Sequence, residues 1–173
     1  MSSISGFFNQ PQAVNAGSGN GTDESRVLPV INLNQVFQTS LELYQETITK
    51  SSPIIRCDIL PSVQGDSVQM QQLFNLVIKM ILLNLPIVNN LFIYIKCDGA
   101  KDEVMDLSIP AGFNKYSINV FSNAIHILER ADKFEQEISE CKTICTKNNG
   151  HFEEHTSSDS GCLFTISLSG KMN

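Results

Sequence analysis

The sequence predicts a two-layer α+β sandwich, in which a mixed, mostly antiparallel sheet carries its helices on one face. Three observations point there. Residues 33–48 repeat apolar side chains at helical spacing, residues 73–83 are apolar almost all round, and two pairs of short β-rich runs follow with turn signals between them. A helix that is apolar on every side is stable only between other layers, so it calls for a sheet to cover it.

The elements follow in chain order. Residues 1–28 are rich in serine, glycine, asparagine and glutamine, with Ile4, Phe7 and Phe8 as the large apolar residues near the start. Such a stretch buries too little to offset its ordering entropy and reads as a flexible tail or linker ahead of one domain, 29–173. Leu33, Val36, Phe37, Leu41, Tyr44 and Ile48 then mark a first amphipathic helix, with Asn32 or Asn34 available as its cap. Ser51, Ser52 and Pro53 end it.

Residues 54–59 have the β-branched content of a strand, stopped by Pro61. Asp66 opens a second helix with Gln69 three residues on, a spacing like a capping box with aspartate in the capping role. Residues 91–97 and 104–109 are β-rich and separated by Asp98 and Gly99, a turn signal, so they are expected to form a hairpin. Ile118, Phe121, Ile125 and Leu128 at helical spacing predict a helix over 116–131, and 137–147 continues as another. Asn149 and Gly150 close it in the manner of a C-terminal cap. Residues 151–154 and 162–168 make a last strand pair around a serine-rich turn, so about four or five strands are expected.

Composition narrows the function. Twelve basic and eighteen acidic residues give a net charge of -6, with the cations scattered, so nucleic acid is not the expected partner. The most apolar run, 73–86, is interrupted by Asn75, Lys79 and Asn84 and is shorter than the roughly 20 residues of a bilayer span. With no secretion signal, a cytoplasmic location is expected, with no membrane partner. The five cysteines are an odd number and read as reduced, mostly buried thiols. Cys141 and Cys145 with His151 and His155 lack the usual spacing of a structural zinc site, so a half-buried helix face is the better reading and no metal is expected. Glu153 and Glu154 are adjacent in a strand and point to opposite faces. No Gly-x-Ser-x-Gly elbow exists to orient a nucleophile.

Three segments carry a family resemblance. VINLNQVFQTSLELYQETITKSS resembles the entry into the first helix of the GHKL-type ATPase domain of bacterial sensor histidine kinases. LPSVQGDSVQMQQLF, with Gly65, Asp66, Gln69 and Gln72, is similar to that family's approach to its magnesium-binding helix. ISECKTICTKNNGHFEEHTSSDSGCLFTISLSG resembles the last helix and closing hairpin, with Gly161, Phe164 and Leu168 placed as in the final strand. The resemblance implies a histidine-kinase ATPase-like fold over 29–173.

It also locates the departures. Counted without gaps from Gly65 and Asp66, the two asparagines of the family's nucleotide-binding helix fall on Leu76 and Met80, neither of which offers the oxygen ligands a hard cation wants. A register one residue away recovers Asn75 but puts Lys79 at the magnesium ligand. The family's adenine-binding aspartate is followed closely by two glycines. Here Asp106 has no glycine in the right place, and Gly112, beside Phe113, has no aspartate closely ahead of it. Lys133, Phe134, Glu135, Gln136 and Glu137 stand where a second glycine box meets the phosphates, a role that uses backbone N–H groups at a helix start. The phosphoacceptor histidine of such kinases lies on a separate helical hairpin, which nothing before Asn32 resembles. His126 reads as a semi-buried residue of a mostly apolar helix.

These departures predict a degenerate nucleotide site with no catalytic residue, no cofactor and no metal. The expected function is that of a non-catalytic signalling module acting through a protein partner, a two-component kinase or response regulator. Two alternatives stay open: a divergent ATP-binding kinase domain working in trans, and a small-molecule sensor in a cleft reshaped by Leu76, Met80 and Phe113.

Overall fold

The computed structural model describes residues 29–82, 90–99, 114–124, 133–155 and 161–171. Its elements run β1 (Val30–Asn32), α1 (Leu33–Leu43), α2 (Gln45–Ser51), β2 (Ile54–Cys57), β3 (Ser62–Gln64), α3 (Ser67–Leu82), β4 (Phe92–Gly99), β5 (Asn114–Ser122), α4 (Glu135–Lys147), β6 (His151–Glu154) and β7 (Cys162–Lys171). The described strands form one sheet in the order β1-β3-β7-β5-β4-β2, with β6 also paired to β7. All pairs are antiparallel except β2 with β4. The α+β class with a mixed, mostly antiparallel sheet is therefore as the sequence predicts. The sheet is larger than four or five strands because the three-residue strands β1 and β3 are too short to leave a periodic signal and because β5 reads as a helix from its sequence.

One core lies between sheet and helices. Ile93 and Ile95 of β4, Ile118 and Val120 of β5, and Phe164, Ile166 and Leu168 of β7 are buried in the same cluster as Leu33 and Phe37 of α1, Met70, Leu73, Phe74, Val77 and Met80 of α3, and Ile138, Cys141 and Cys145 of α4. The alternate residues of the strands, among them Tyr94, Asn119, Phe121 and Thr165, face the other way and are only half-buried.

Two expectations for the middle of the chain are overturned. The predicted helix over 116–131 is in its first half the strand β5; residues 125–131, His126 included, lie outside the described residues. Its true period is two, with Tyr116, Ile118, Val120 and Ser122 buried, while Phe121 lies on the opposite face, stacked on Tyr94 at 6.1 Å between ring centroids. Apolar residues on both faces of one strand mimic helical spacing. The antiparallel partner of β4 is this strand, and 104–109 lie outside the described residues. Asp98 and Gly99 accordingly make no turn: they pair within the ladder with Ser117 and Tyr116.

Smaller adjustments have local causes. The first helix breaks at Tyr44, whose backbone (φ -105, ψ 15) leaves α-helical geometry, and whose hydroxyl donates to the backbone oxygen of Asn75 at 3.2 Å. Asn32 is the cap of α1, accepting from the Asn34 N–H at 2.9 Å, while Asn34 ties the helix to Leu60 through both its amide atoms. Asp66 caps α3 by accepting from Val68 and Gln69 N–H groups at 2.8 and 3.2 Å. Gln69 does not return the bond; its side-chain oxygen instead accepts from Asn148 at the far end of α4. Glu153 and Glu154 do point to opposite faces, the first exposed and the second bound by Lys142. The tail 1–28 lies outside the described residues. None of the described helices is long and apolar enough to cross a membrane.

Candidate functional site

The site that the sequence marks lies where α3 and α4 run antiparallel. Both helices turn an apolar stripe to the sheet, and polar side chains close the seam above it. Gln69 meets Asn148, Gln72 meets Glu140, and Lys79 meets Glu137 at 3.1 Å. The last pair joins the second half of α3 to the first turn of α4. The N–H of Glu137 itself, and after it Lys79, hold the Glu137 carboxyl below its usual range. A carboxylate in the first turn also suits the positive end of the helix dipole.

The sequence-predicted positions are distributed around that seam. Met80 is fully buried, its side chain part of the core. Leu76 is half-buried and packs against the same core, as does Phe134, which precedes α4 with a backbone that gives no side-chain cap. Lys133 stands exposed in the single 3₁₀ turn before α4. Asn75, which a shifted register brings to the nucleotide helix's asparagine, faces α1 instead: its side-chain oxygen accepts from Gln71, which also donates to Ser40. Asp106 and Phe113 lie outside the described residues.

The donor set decides what this seam can hold. At the positions where the resemblance puts magnesium ligands stand a buried thioether, a leucine and a lysine already bound to a carboxylate. A hard divalent cation takes oxygen ligands, and these side chains do not fit one. The start of α4 presents Glu135 and Glu137 rather than bare backbone, which opposes a phosphate by charge. Elsewhere, Cys141 and Cys145 are buried in α4, and burial pushes the Cys145 thiol up to about 12 and the Cys141 thiol higher still, away from the thiolate form a nucleophile needs. His151 is exposed, while His155 is partly buried against the Thr165 hydroxyl at 2.7 Å.

Sequence reasoning missed two parts of the arrangement. Lys79 and Glu137 were each visible as a departure, yet nothing local links residues 58 apart. Asn148, between the expected helix end at 147 and the Asn149–Gly150 cap, carries no local signal, yet its side chain binds both α3 and its own helix.

No family model matches the sequence, and no curated protein matches it. Solved structures do. The histidine kinase AdeS of Acinetobacter baumannii superposes with a TM-score of 0.54 at 13% identity, over 82% of this chain and 66% of that one. The nucleotide-free catalytic domain of the histidine kinase ThkA gives 0.54 at 14% identity, over 84% of this chain and 98% of that one. The mycobacterial sensor histidine kinase MprB gives 0.53 at 15%, over 85% and 100%. The fold is thus the histidine-kinase ATPase-like fold of the GHKL type.

Proposed function

We propose that this chain is a non-catalytic signalling module, a pseudo-kinase that keeps the histidine-kinase ATPase-like fold and acts by binding a protein, a two-component kinase or response regulator. The observation that carries the reading is the Lys79–Glu137 pair between α3 and α4. It spends the one cation of α3 on a carboxylate of the same chain, beside a fully buried Met80. Leu76, Met80 and Phe134 fill space with carbon where a nucleotide site needs polar contacts. The fold's likeness to kinase catalytic domains supports a place in two-component signalling, where a domain of this shape already has partners to dock on.

Calorimetric titration of the full chain with magnesium-ATP tests the reading. A missing cation ligand, a missing phosphate loop and missing glycines, at about 1 to 3 kcal/mol each, take a micromolar site to the millimolar range or beyond. Saturable, magnesium-dependent binding at micromolar concentration would instead favour a divergent ATP-binding domain working in trans.

A further inference from the structure

Among the described residues the sheet ends at β2, and the hydrogen-bond phase of that strand is fixed. The N–H groups of Ile54 and Asp58 donate inward to Leu91 and Ile95 of the β4 side at 2.8 and 2.9 Å. Alternate residues of a parallel strand serve one neighbour, so Arg56 also bonds inward, and Ile55 and Cys57 direct their N–H and C=O groups outward. Among the described residues no strand covers that edge. An open edge of this kind is a template for an added strand, with main-chain bonds supplying affinity and alternate side chains supplying choice.

The side chains along the edge define what would be chosen. Ile54 is 54% exposed and aligns with Phe92, and Arg56 is exposed and aligns with Tyr94. Arg56 has no ion-pair partner among the described residues. The nearby Asp58 carboxylate is turned inward: it accepts from the Tyr94 hydroxyl and the Cys97 N–H, each at 3.1 Å. Among the described residues Arg56 is therefore the charge of this edge that no side chain engages, whereas the Asp58 carboxylate beside it is held by β4. A groove of about 550 Å³ runs beside it, lined by Arg56, Cys57, Asp58, Phe92 and Tyr94.

We propose that the outer edge of β2 takes up an extended segment of a partner protein, with an apolar residue beside Ile54 and, two positions away on the same face, an acidic residue beside Arg56. A second copy of this chain is the poorer occupant. The antiparallel register that uses Ile55 and Cys57 of both copies sets Arg56 against Arg56, and like charges directly opposite destabilise a strand pair. The surface lies away from α3 and α4, so it stands or falls independently of nucleotide binding there.

A random-peptide display library selected on the immobilised full chain, followed by titration of the synthesised winners, tests this. The winners should share an apolar and an acidic residue two apart. Cys57→Pro removes the outward N–H together with the exposed thiol that donates to the Asp58 backbone oxygen, a change an edge strand tolerates, and should weaken binding at least about tenfold with an unchanged circular-dichroism melt. Arg56→Glu, at an exposed position, should reverse the preference from acidic to basic peptides. The proposal is overturned if no such spacing is enriched, if Arg56→Glu leaves the charge preference intact, if a folded Cys57→Pro binds undiminished, or if sedimentation shows the chain pairing with itself through this edge.

Discussion

The side-chain oxygen of Asn148, at the C-terminal end of α4, accepts the backbone N–H of Asp66 at 3.0 Å and so ties the end of one helix to the start of another. Its amide nitrogen donates to Gln69 at 2.9 Å and to the backbone oxygen of Ile144 at 2.8 Å, which leaves this 5%-exposed side chain fully satisfied. The approach is close enough to exclude a side chain at Gly65, where a Cβ would lie 2.6 Å from the Asn148 oxygen.

Removing either partner of this lock should show in stability. Asn148→Ala leaves the Asp66 N–H and the Gln69 oxygen without their partner, at about 1 to 3 kcal/mol. Gly65→Ala forces Asn148 aside and should cost a similar amount. In the Asn148→Ala background, Gly65→Ala should cost clearly less, because the atom it strikes is gone. Urea denaturation of the four proteins measures the coupling, and strict additivity would show that the contact is not what Gly65 serves.

The end of α4 separates two neighbours that the sequence treats as one signal. Asn149 adopts the left-handed conformation (φ 55), while Gly150 is required by space: a Cβ there would lie 2.4 Å from the Ser167 backbone oxygen. Gly150→Ala should therefore destabilise by about 1 to 3 kcal/mol, since backbone cannot move aside as a side chain can. Asn149→Gly should be tolerated with a change below about 1 kcal/mol in either direction, relief of the left-handed strain opposing added chain entropy. Thermal melts of the two variants give the comparison, and equal losses would contradict it.

How far the fold can be read from the residues depends on the range of the interactions involved. The helices, the Asp66 cap and the closing strand pair were legible because a period or a cap is written within a few residues. The strand β5 was not, because Phe121 serves the Tyr94 face while Ile118 serves the core, and the sum imitates a helix. At the site, the positions Leu76 and Met80 could be named from the resemblance. That Lys79 is bound by Glu137 could not, since the pairing exists only once α3 and α4 lie side by side.

That pair should also leave a mark on acid stability. The folded-state Glu137 carboxyl lies below its ordinary value of 4.5, so its contribution is fully present above about pH 4.5 and is lost as pH falls through the lower folded value. Lys79→Met removes one of the causes while the Glu137 N–H remains, so the variant should lose less stability on acidification than the wild type. At neutral pH the cost should stay below about 1 kcal/mol, because the lysine side chain is 39% exposed and solvent screens the charge. Denaturation midpoints at pH 7 and pH 4 test both statements, and parallel losses in the two proteins would remove the pair from the account.

Restoring an asparagine to α3 discriminates between the two readings of the site. If the chain is a divergent ATP-binding domain short of one magnesium ligand, Met80→Asn should tighten magnesium-ATP binding. The geometry argues the other way. Met80 is fully buried in the core with Leu73, Val77 and Cys141, so an amide there loses apolar burial and needs polar partners that carbon cannot supply. The expected result is a destabilisation of about 2 to 5 kcal/mol with no gain in nucleotide affinity. Adding Lys79→Met and Glu137→Gln, which remove the charged pair between the helices, should still yield no micromolar binding, because Glu135 remains at the start of α4 and Leu76 and Phe134, packed on the core, stay apolar. Calorimetry on the folded variants decides it: a stepwise rise in affinity across the series would mean that the nucleotide site is weakened rather than replaced.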